Sequence, residues 1–197
     1  MQEPRLSRTD EELLAAARTG DEDAFHGLIE RHAERLFRLA FRLVSNTSDA
    51  EDVVQETFVG AFEGMGAFEG RSTVRTWLIR ILVRQAARCH RRRSRRKAVS
   101  LEDAGAAGGR ELRDASRGDI AGEARRRMDV SEALRMLSPK HREVVVLREY
   151  EGMSYAEMAE TLNVPQGTVE SRLYRARQEL KALLRDYLPP RADRGGD

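Results

Sequence analysis

At 197 residues, with 40% hydrophobic and 35% charged side chains, the chain can form one ordinary domain or two small helical ones. No apolar run approaches the roughly 20 residues of a membrane span, the N-terminus lacks a charged-then-apolar leader, and one cysteine, Cys89, excludes an intrachain disulfide; a cytoplasmic protein without membrane insertion is expected. The net charge of +2 hides a segregation: residues 43–70 hold six acids and no Lys or Arg, whereas residues 71–101 hold eleven basic residues and no acid, one block suiting a protein partner and the other a polyanion.

Taken in chain order, Thr9 and Glu12 form a capping box that opens a first helix, closed near Gly20. Asp21 caps the next, where Phe25, Leu28, Ile29, His32, Leu36, Leu39, Ala40 and Leu43 recur at helical spacing on one face. Asn46-Thr47-Ser48 breaks it. Ser48 and Glu51 form a second capping box, and Val54, Phe58, Ala61 and Phe62 mark the apolar stripe that follows. Gly64, Gly66 and Gly70 predict a loop. Ser72 or Thr73 then caps a long helix with Val74, Trp77, Leu78, Ile81, Leu82 and Cys89 inward and Arg80, Arg84, Arg88 and Arg92 stacked in an outer row.

The first domain is therefore expected over 1–97. Residues 98–124 carry five glycines, many alanines and no apolar period, and read as a linker that separates two domains. A disordered tail is expected over 189–197, and the second domain over 125–188. In it Met128, Leu134 and Leu137 give one helix, and Pro139 opens another that buries Val144, Val145 and Leu147 and ends at Gly152. Ser154 and Glu157 make a third capping box for a short helix over 155–162, and Asn163-Val164-Pro165 turns into a final helix with Val169, Leu173, Ala176, Leu180 and Leu183 inward. The fold class is all-α, two small helical domains of which the second is a helix-turn-helix. The outward face of its last helix presents Thr168, Ser171, Arg172, Arg175 and Gln178 toward a major groove, with Arg177 and Lys181 flanking for backbone contacts.

The wording of this segment carries more than its geometry. Leu137-Ser138-Pro139, the run from Arg142 to Glu149, Glu151-Gly152-Met153-Ser154-Tyr155, Gly167-Thr168-Val169 and Ser171-Arg172-Leu173 closely resemble the promoter-binding C-terminal domain of extracytoplasmic-function sigma factors of bacterial RNA polymerase. The resemblance implies recognition of the minus-thirty-five promoter element. One position departs from it: Glu170 stands where the family usually carries a basic residue, which implies a lost phosphate contact or an altered promoter preference.

The first domain resembles the same family. Asp49-Ala50-Glu51-Asp52 with Gln55-Glu56 and Phe58 is similar to its polymerase-binding helix, whose polar face packs on a basic coiled coil of the largest subunit; Asp49, Asp52, Gln55 and Glu56 are the residues implied. The segment from Phe68 to Ser72, then Arg75-Thr76-Trp77-Leu78 and the arginine row, resembles the part that opens the minus-ten element and captures an unstacked base in the loop before the helix. Phe68, Arg71, Ser72 and Arg75 suit capture, which needs close backbone approach, a stacking surface and a phosphate partner, while Arg80, Arg84 and Arg88 run along phosphates. Trp77 faces the core, as does Val74, where the family commonly has Phe.

The resemblance implies core RNA polymerase and promoter DNA as partners and an anti-sigma factor as an inhibitor. No enzyme activity, cofactor or metal is expected: His26, His32, His90 and His141 do not cluster with carboxylates at metal-ligand spacing, and Cys89-His90 lies on a basic helix with no orienting partner visible in the sequence. The alternative is a freestanding helix-turn-helix regulator, which explains the second domain but leaves the acidic helix and its basic neighbour without a task.

Overall fold

The computed structural model describes residues 8–104 and 130–185. Among these, regular structure is helical throughout, in eight α-helices and one 3₁₀ turn. The linker from residue 105 onward, Met128 with the rest of the first residues of the second domain, and the tail at 189–197 lie outside the described residues.

Local capping sets most helix starts. In α1 (Asp10–Arg18) the Glu12 N–H donates to Thr9 Oγ1 at 3.2 Å and the Thr9 N–H donates to Glu12 Oε2 at 2.7 Å, so both halves of the capping box form. Asp21 caps α2 (Glu22–Val44), accepting from the Ala24 N–H at 3.0 Å. α2 ends at Ser45 in the left-handed conformation, φ 57°. The expected capping box at Ser48 and Glu51 does not form. Asn46 follows directly on Ser45 and supplies the acceptor first, taking the Asp49 N–H at 2.9 Å, so α3 (Thr47–Gly64) already contains Ser48. A 3₁₀ turn over Met65–Ala67 leads into the loop, and α4 (Val74–Ala104) starts where Thr73 Oγ1 accepts from the Thr76 N–H at 3.1 Å. α4 continues as one helix past Lys97.

These four helices enclose Leu13, Leu28, Leu36, Leu39, Leu43, Val53, Leu78 and Leu82, with Ile79 and Val83 adding a second inward row on α4. α3 lies close on α4: a Cβ at Gly60 would come 3.3 Å from Ile81 Cγ2. Phe62, expected inside, is 53% exposed and meets Phe25 edge-to-face at 5.2 Å. It falls one step beyond the seam defined by Phe58 and Ala61, where among the described residues the Phe25 ring of α2 covers it only in part.

The second domain comprises α5 (Val130–Met136), α6 (Pro139–Glu149), α7 (Tyr155–Leu162) and α8 (Gln166–Leu183). Pro139 occupies the first turn of α6, and Ser138 caps it. The Ser154–Glu157 box opens α7, and Asn163, at φ 52°, closes it by donating its N–H to the carbonyl end of the helix. Val144, Val145, Val146 and Leu147 are consecutive and all buried. A helix buried on every side needs neighbours on every side. α8 and α7 supply one flank of α6, and α2 of the first domain supplies the other. Sequence periodicity leaves the placement of the two domains open; the structure docks α2 on α5 and α6, and α4 on α7.

Candidate functional site

The acidic face of α3 is set by helical spacing. Val53, Thr57 and Phe58 point into the core, which leaves Asp52, Gln55 and Glu56 exposed on the opposite side. Asp49 is half-buried and lies 3.6 Å from the Arg93 guanidinium on α4, so it ties the acidic helix to the basic one. Two further residues share the exposed face: Val59, and Phe62 already noted, continue the line from Asp52 through Gln55 and Glu56. The signal that could have found them is this spacing, which an assignment of Phe62 to the core concealed. At the edge of this face a cleft of about 210 Å³ brings Asp52 and Glu56 against Gln85, Arg88 and Arg92 of α4.

The loop between α3 and α4 forms a second feature. Gly70 takes φ 72°, a conformation that favours glycine, and turns the chain back toward α4. Phe68 packs over Trp77 with ring centroids 5.0 Å apart. Around the pair a cavity of about 130 Å³ is bordered by Phe68, Glu69, Arg71, Ser72, Trp77 and Arg80. Trp77 thus packs on the core, as its spacing predicts, and also floors this cavity. Arg71 is 84% exposed in its side chain and pairs with Glu69 at 3.0 Å. The loop residues Phe68, Arg71 and Ser72 therefore meet at one cavity with Arg80, while Arg75 points elsewhere.

Along α4, Arg84 and Arg88 are exposed, as are Arg91, Arg92 and Arg93. Arg75 and Arg80 differ because the second domain covers them. Arg75 Nη2 donates to the Glu151 carbonyl at 3.0 Å, and Arg80 donates to Glu160 on α7. Glu151, with a side chain only 5% exposed, accepts two hydrogen bonds from Arg35 of α2, at 2.9 and 3.1 Å.

One arginine completes the docking. Arg142 of α6 is 6% exposed, and each of its five N–H donors has an acceptor within reach. Nε donates to Leu134 O at 2.8 Å; Nη2 donates to Arg135 O at 2.7 Å and Leu137 O at 3.1 Å; Nη1 donates to Leu43 O at 2.8 Å and Ser45 Oγ at 3.1 Å. A single guanidinium thus bonds carbonyls at the ends of α5 and α2, one helix from each domain. Burial lowers its pKa from the usual arginine value. His90 on α4 lies 3.1 Å from the same Leu43 carbonyl, and burial pushes its pKa down.

The helix-turn-helix is built on Met158, Val169, Leu173 and Ala176, all buried at the α7–α8 junction, with the Val164 N–H donating to Ala159 O at 3.0 Å. This leaves Ser171, Arg175, Gln178 and Lys181 exposed along α8 and Thr168 half-buried at its start. Arg177 is engaged by Glu149 at 2.9 Å. Arg172 is half-buried beside Glu143, whose carboxyl is pushed up by burial and held back by Arg172 and Lys140. Glu170 is exposed and accepts from Gln166 Nε2 at 2.9 Å. Tyr174, 66% exposed between Ser171 and Gln178, was not singled out by the sequence, although its position three residues from Ser171 puts it on the same face.

Comparison with known proteins now adds to this geometry. Residues 28–96 match the Sigma-70 region 2 family and residues 127–180 the Sigma-70, region 4 family. The ECF RNA polymerase sigma factor SigE of Mycolicibacterium smegmatis is 40% identical over 179 residues, an alignment that takes in 86% of this chain and 65% of that protein. SigM of Mycobacterium tuberculosis, also an ECF RNA polymerase sigma factor, is 38% identical over 181 residues, with 91% of this chain and 87% of SigM covered. Among solved structures, the sigma factor RpoE in complex with the anti-sigma factor NepR from Bartonella quintana superposes with a TM-score of 0.61 at 29% identity, covering 86% of this chain and 98% of that one.

Proposed function

The chain belongs to the extracytoplasmic-function sigma factors of bacterial RNA polymerase, and from that premise we propose how its residues divide the work. It binds core RNA polymerase and directs transcription initiation to promoters with a minus-thirty-five and a minus-ten element. The match at 28–96 covers the acidic and basic helices that a freestanding helix-turn-helix regulator would not need.

The exposed Asp52, Gln55 and Glu56, with Asp49 at their margin, form the polymerase-binding face on the largest-subunit coiled coil. Phe68, Arg71, Ser72 and Arg75, followed by Arg80, Arg84 and Arg88, recognise and hold the melted minus-ten strand. Thr168, Ser171, Arg172, Arg175 and Gln178 read the minus-thirty-five duplex, and Arg177 and Lys181 contact its backbone. The observation that carries this reading is the juxtaposition on α3 and α4 of an exposed acidic face and an exposed arginine row, with a helix-turn-helix in the same chain. The chain itself breaks no covalent bond. Strand opening comes from binding, since each captured base offsets the cost of a few kcal/mol for unstacking it.

The Arg75–Glu151 and Arg80–Glu160 pairs put Arg75 and Arg80 under the second domain, and in this reading both belong to the minus-ten face. Reading both promoter elements requires the two domains to part. An anti-sigma factor is the proposed inhibitory partner, on the strength of the solved RpoE–NepR complex. The cytoplasm is the proposed location, and among the described residues no helix is long and apolar enough to cross a membrane. The direct test is reconstitution. Purified protein added to core polymerase is expected to co-elute with it and to start transcripts from a subset of a promoter library. Co-elution without transcripts, or operator binding without polymerase, overturns the reading.

A further inference from the structure

One guanidinium reaches the α3–α4 loop from the side opposite α4. Arg18, the last residue of α1, donates from Nη2 to Gly66 O at 3.0 Å and from Nη1 to Phe68 O at 3.3 Å. Two carbonyls two residues apart are spanned by one planar fork, a geometry that arginine offers and lysine does not.

The helix that carries this fork is itself anchored. Leu13, Leu14 and Ala17 are buried, and Asp10 bonds to Arg31 at 2.6 Å and to His32 at 2.8 Å on α2. The loop has less support of its own. A groove of about 660 Å³ separates it from the body of α1, with Leu14 and Arg18 on one wall and Gly66 and Gly70 on the other. A Cβ at either glycine would meet nothing within 4 Å. Across this gap Arg18 supplies two polar ties, and on the far side Trp77 supports the Phe68 ring. Arg18 thus ties the backbone at 66 and 68, while the indole holds the Phe68 ring.

We propose that Arg18 is a positioning residue for base capture: it fixes the loop backbone so that the Phe68 cavity is formed before the DNA strand arrives. This rests on the reading of that cavity as the minus-ten capture site. Arg18 need not touch DNA. Its contribution is preorganisation, because a loop already held in its bound shape does not lose that freedom when the base enters.

The test uses holoenzyme reconstituted with core polymerase and four variants: Arg18→Ala, Arg18→Gln, Arg18→Lys and Phe68→Ala. Opening is followed by 2-aminopurine fluorescence at the minus-ten element, on duplex promoter and on a single-stranded minus-ten oligonucleotide with each base in turn. Arg18→Ala and Arg18→Gln are expected to slow opening roughly tenfold and to flatten discrimination among the four bases, with minus-thirty-five binding and polymerase association within about twofold of wild type. Arg18→Lys, able to reach one carbonyl at a time, recovers only part of the loss. If Phe68→Ala impairs opening while the Arg18 variants keep wild-type opening and discrimination, the capture site stands and the role of Arg18 is overturned. If Phe68→Ala opens promoters normally, the capture reading fails and takes the inference with it. Arg18 variants that melt early and also lose polymerase association mark a fold residue, which overturns the proposal as well.

Discussion

The two arginine-bearing helices of this protein, α4 and α8, look alike in sequence and differ in how packing leaves them. On α8, Arg175, Gln178 and Lys181 stand in solvent, and no ion pair engages Arg175 or Lys181 among the described residues. On α4, Arg75 and Arg80 are held by Glu151 and Glu160 of the second domain, while Arg84 and Arg88 stay open. Most of the proposed minus-thirty-five face is open in this arrangement, with Arg177 tied to Glu149; of the four α4 arginines in the proposed minus-ten face, two are held by acidic residues of the second domain. An arginine's chemistry is set by its sequence, but its availability is set by what docks beside it.

The contrast can be broken most severely at Arg142. Arg142→Ala leaves the carbonyls of Arg135 and Leu137 without this donor and takes one of two donors from those of Leu43 and Leu134, and at about 1–3 kcal/mol for an unsatisfied buried group the total loss is expected to reach a few kcal/mol. Urea unfolding followed by circular dichroism should show it, and a midpoint equal to wild type would refute the account of the junction. Glu151→Gln should act next in size and more selectively. It removes the charge that Arg35 and Arg75 share while keeping the fold of each domain, and should widen the distance between donor and acceptor dyes placed on α3 and α8. An unchanged transfer efficiency would show that Glu151 does not hold the domains together.

Arg175→Ala sharpens the other half of the comparison. With no partner to release, its loss is expected to weaken minus-thirty-five binding by about tenfold, in line with roughly 1–3 kcal/mol for a good base contact, and to leave polymerase association and melting temperature unaltered. Arg172→Ala should weaken the same binding yet also shift stability, because the Arg172 charge opposes the upward push that burial gives the half-buried Glu143 carboxyl. Equal effects of the two substitutions on unfolding would contradict that difference.

The smallest expected effect is a pH dependence at the junction. Burial first, then the neighbouring Arg142 and Arg93 charges, lower the His90 pKa in the folded state. A lowered value means the neutral ring is favoured on folding. That contribution is therefore fully present above the unfolded value of about 6.5 and is lost as pH falls through the folded one. Stability measured from pH 7.5 to 5 should decline less in His90→Gln than in wild type.

Much of this was legible in the sequence because it is local. The boxes at Thr9–Glu12 and Ser154–Glu157, the Asp21 cap and the left-handed Asn163 each depend on residues within one turn. Asn46 was missed as the cap of α3 because Ser48 and Glu51 satisfy the same pattern, and only the backbone at Ser45 decides between them. Phe62 was misplaced because an apolar stripe tells which residues could be buried, not whether a neighbour arrives to bury them. Arg18 and Arg35 left no local mark, and Glu151 was legible only as part of a motif: their partners lie 48 and 116 residues away along the chain. The candidate site shows the same division. Helical spacing picked out the faces of α3, α4 and α8, but the pairing of Arg75, Arg80 and Arg177 with acids is tertiary and invisible to periodicity.

The exposed Val59 and Phe62 beside Asp52 and Glu56 would give the proposed polymerase-binding surface two timescales. Carboxylates act across a Debye length of about 8 Å in physiological salt and draw a cationic partner in; apolar side chains act only after water has left. Raising ionic strength should therefore delay capture of the polymerase far more than it hastens release, so that a complex slow to assemble in concentrated salt nonetheless persists once made.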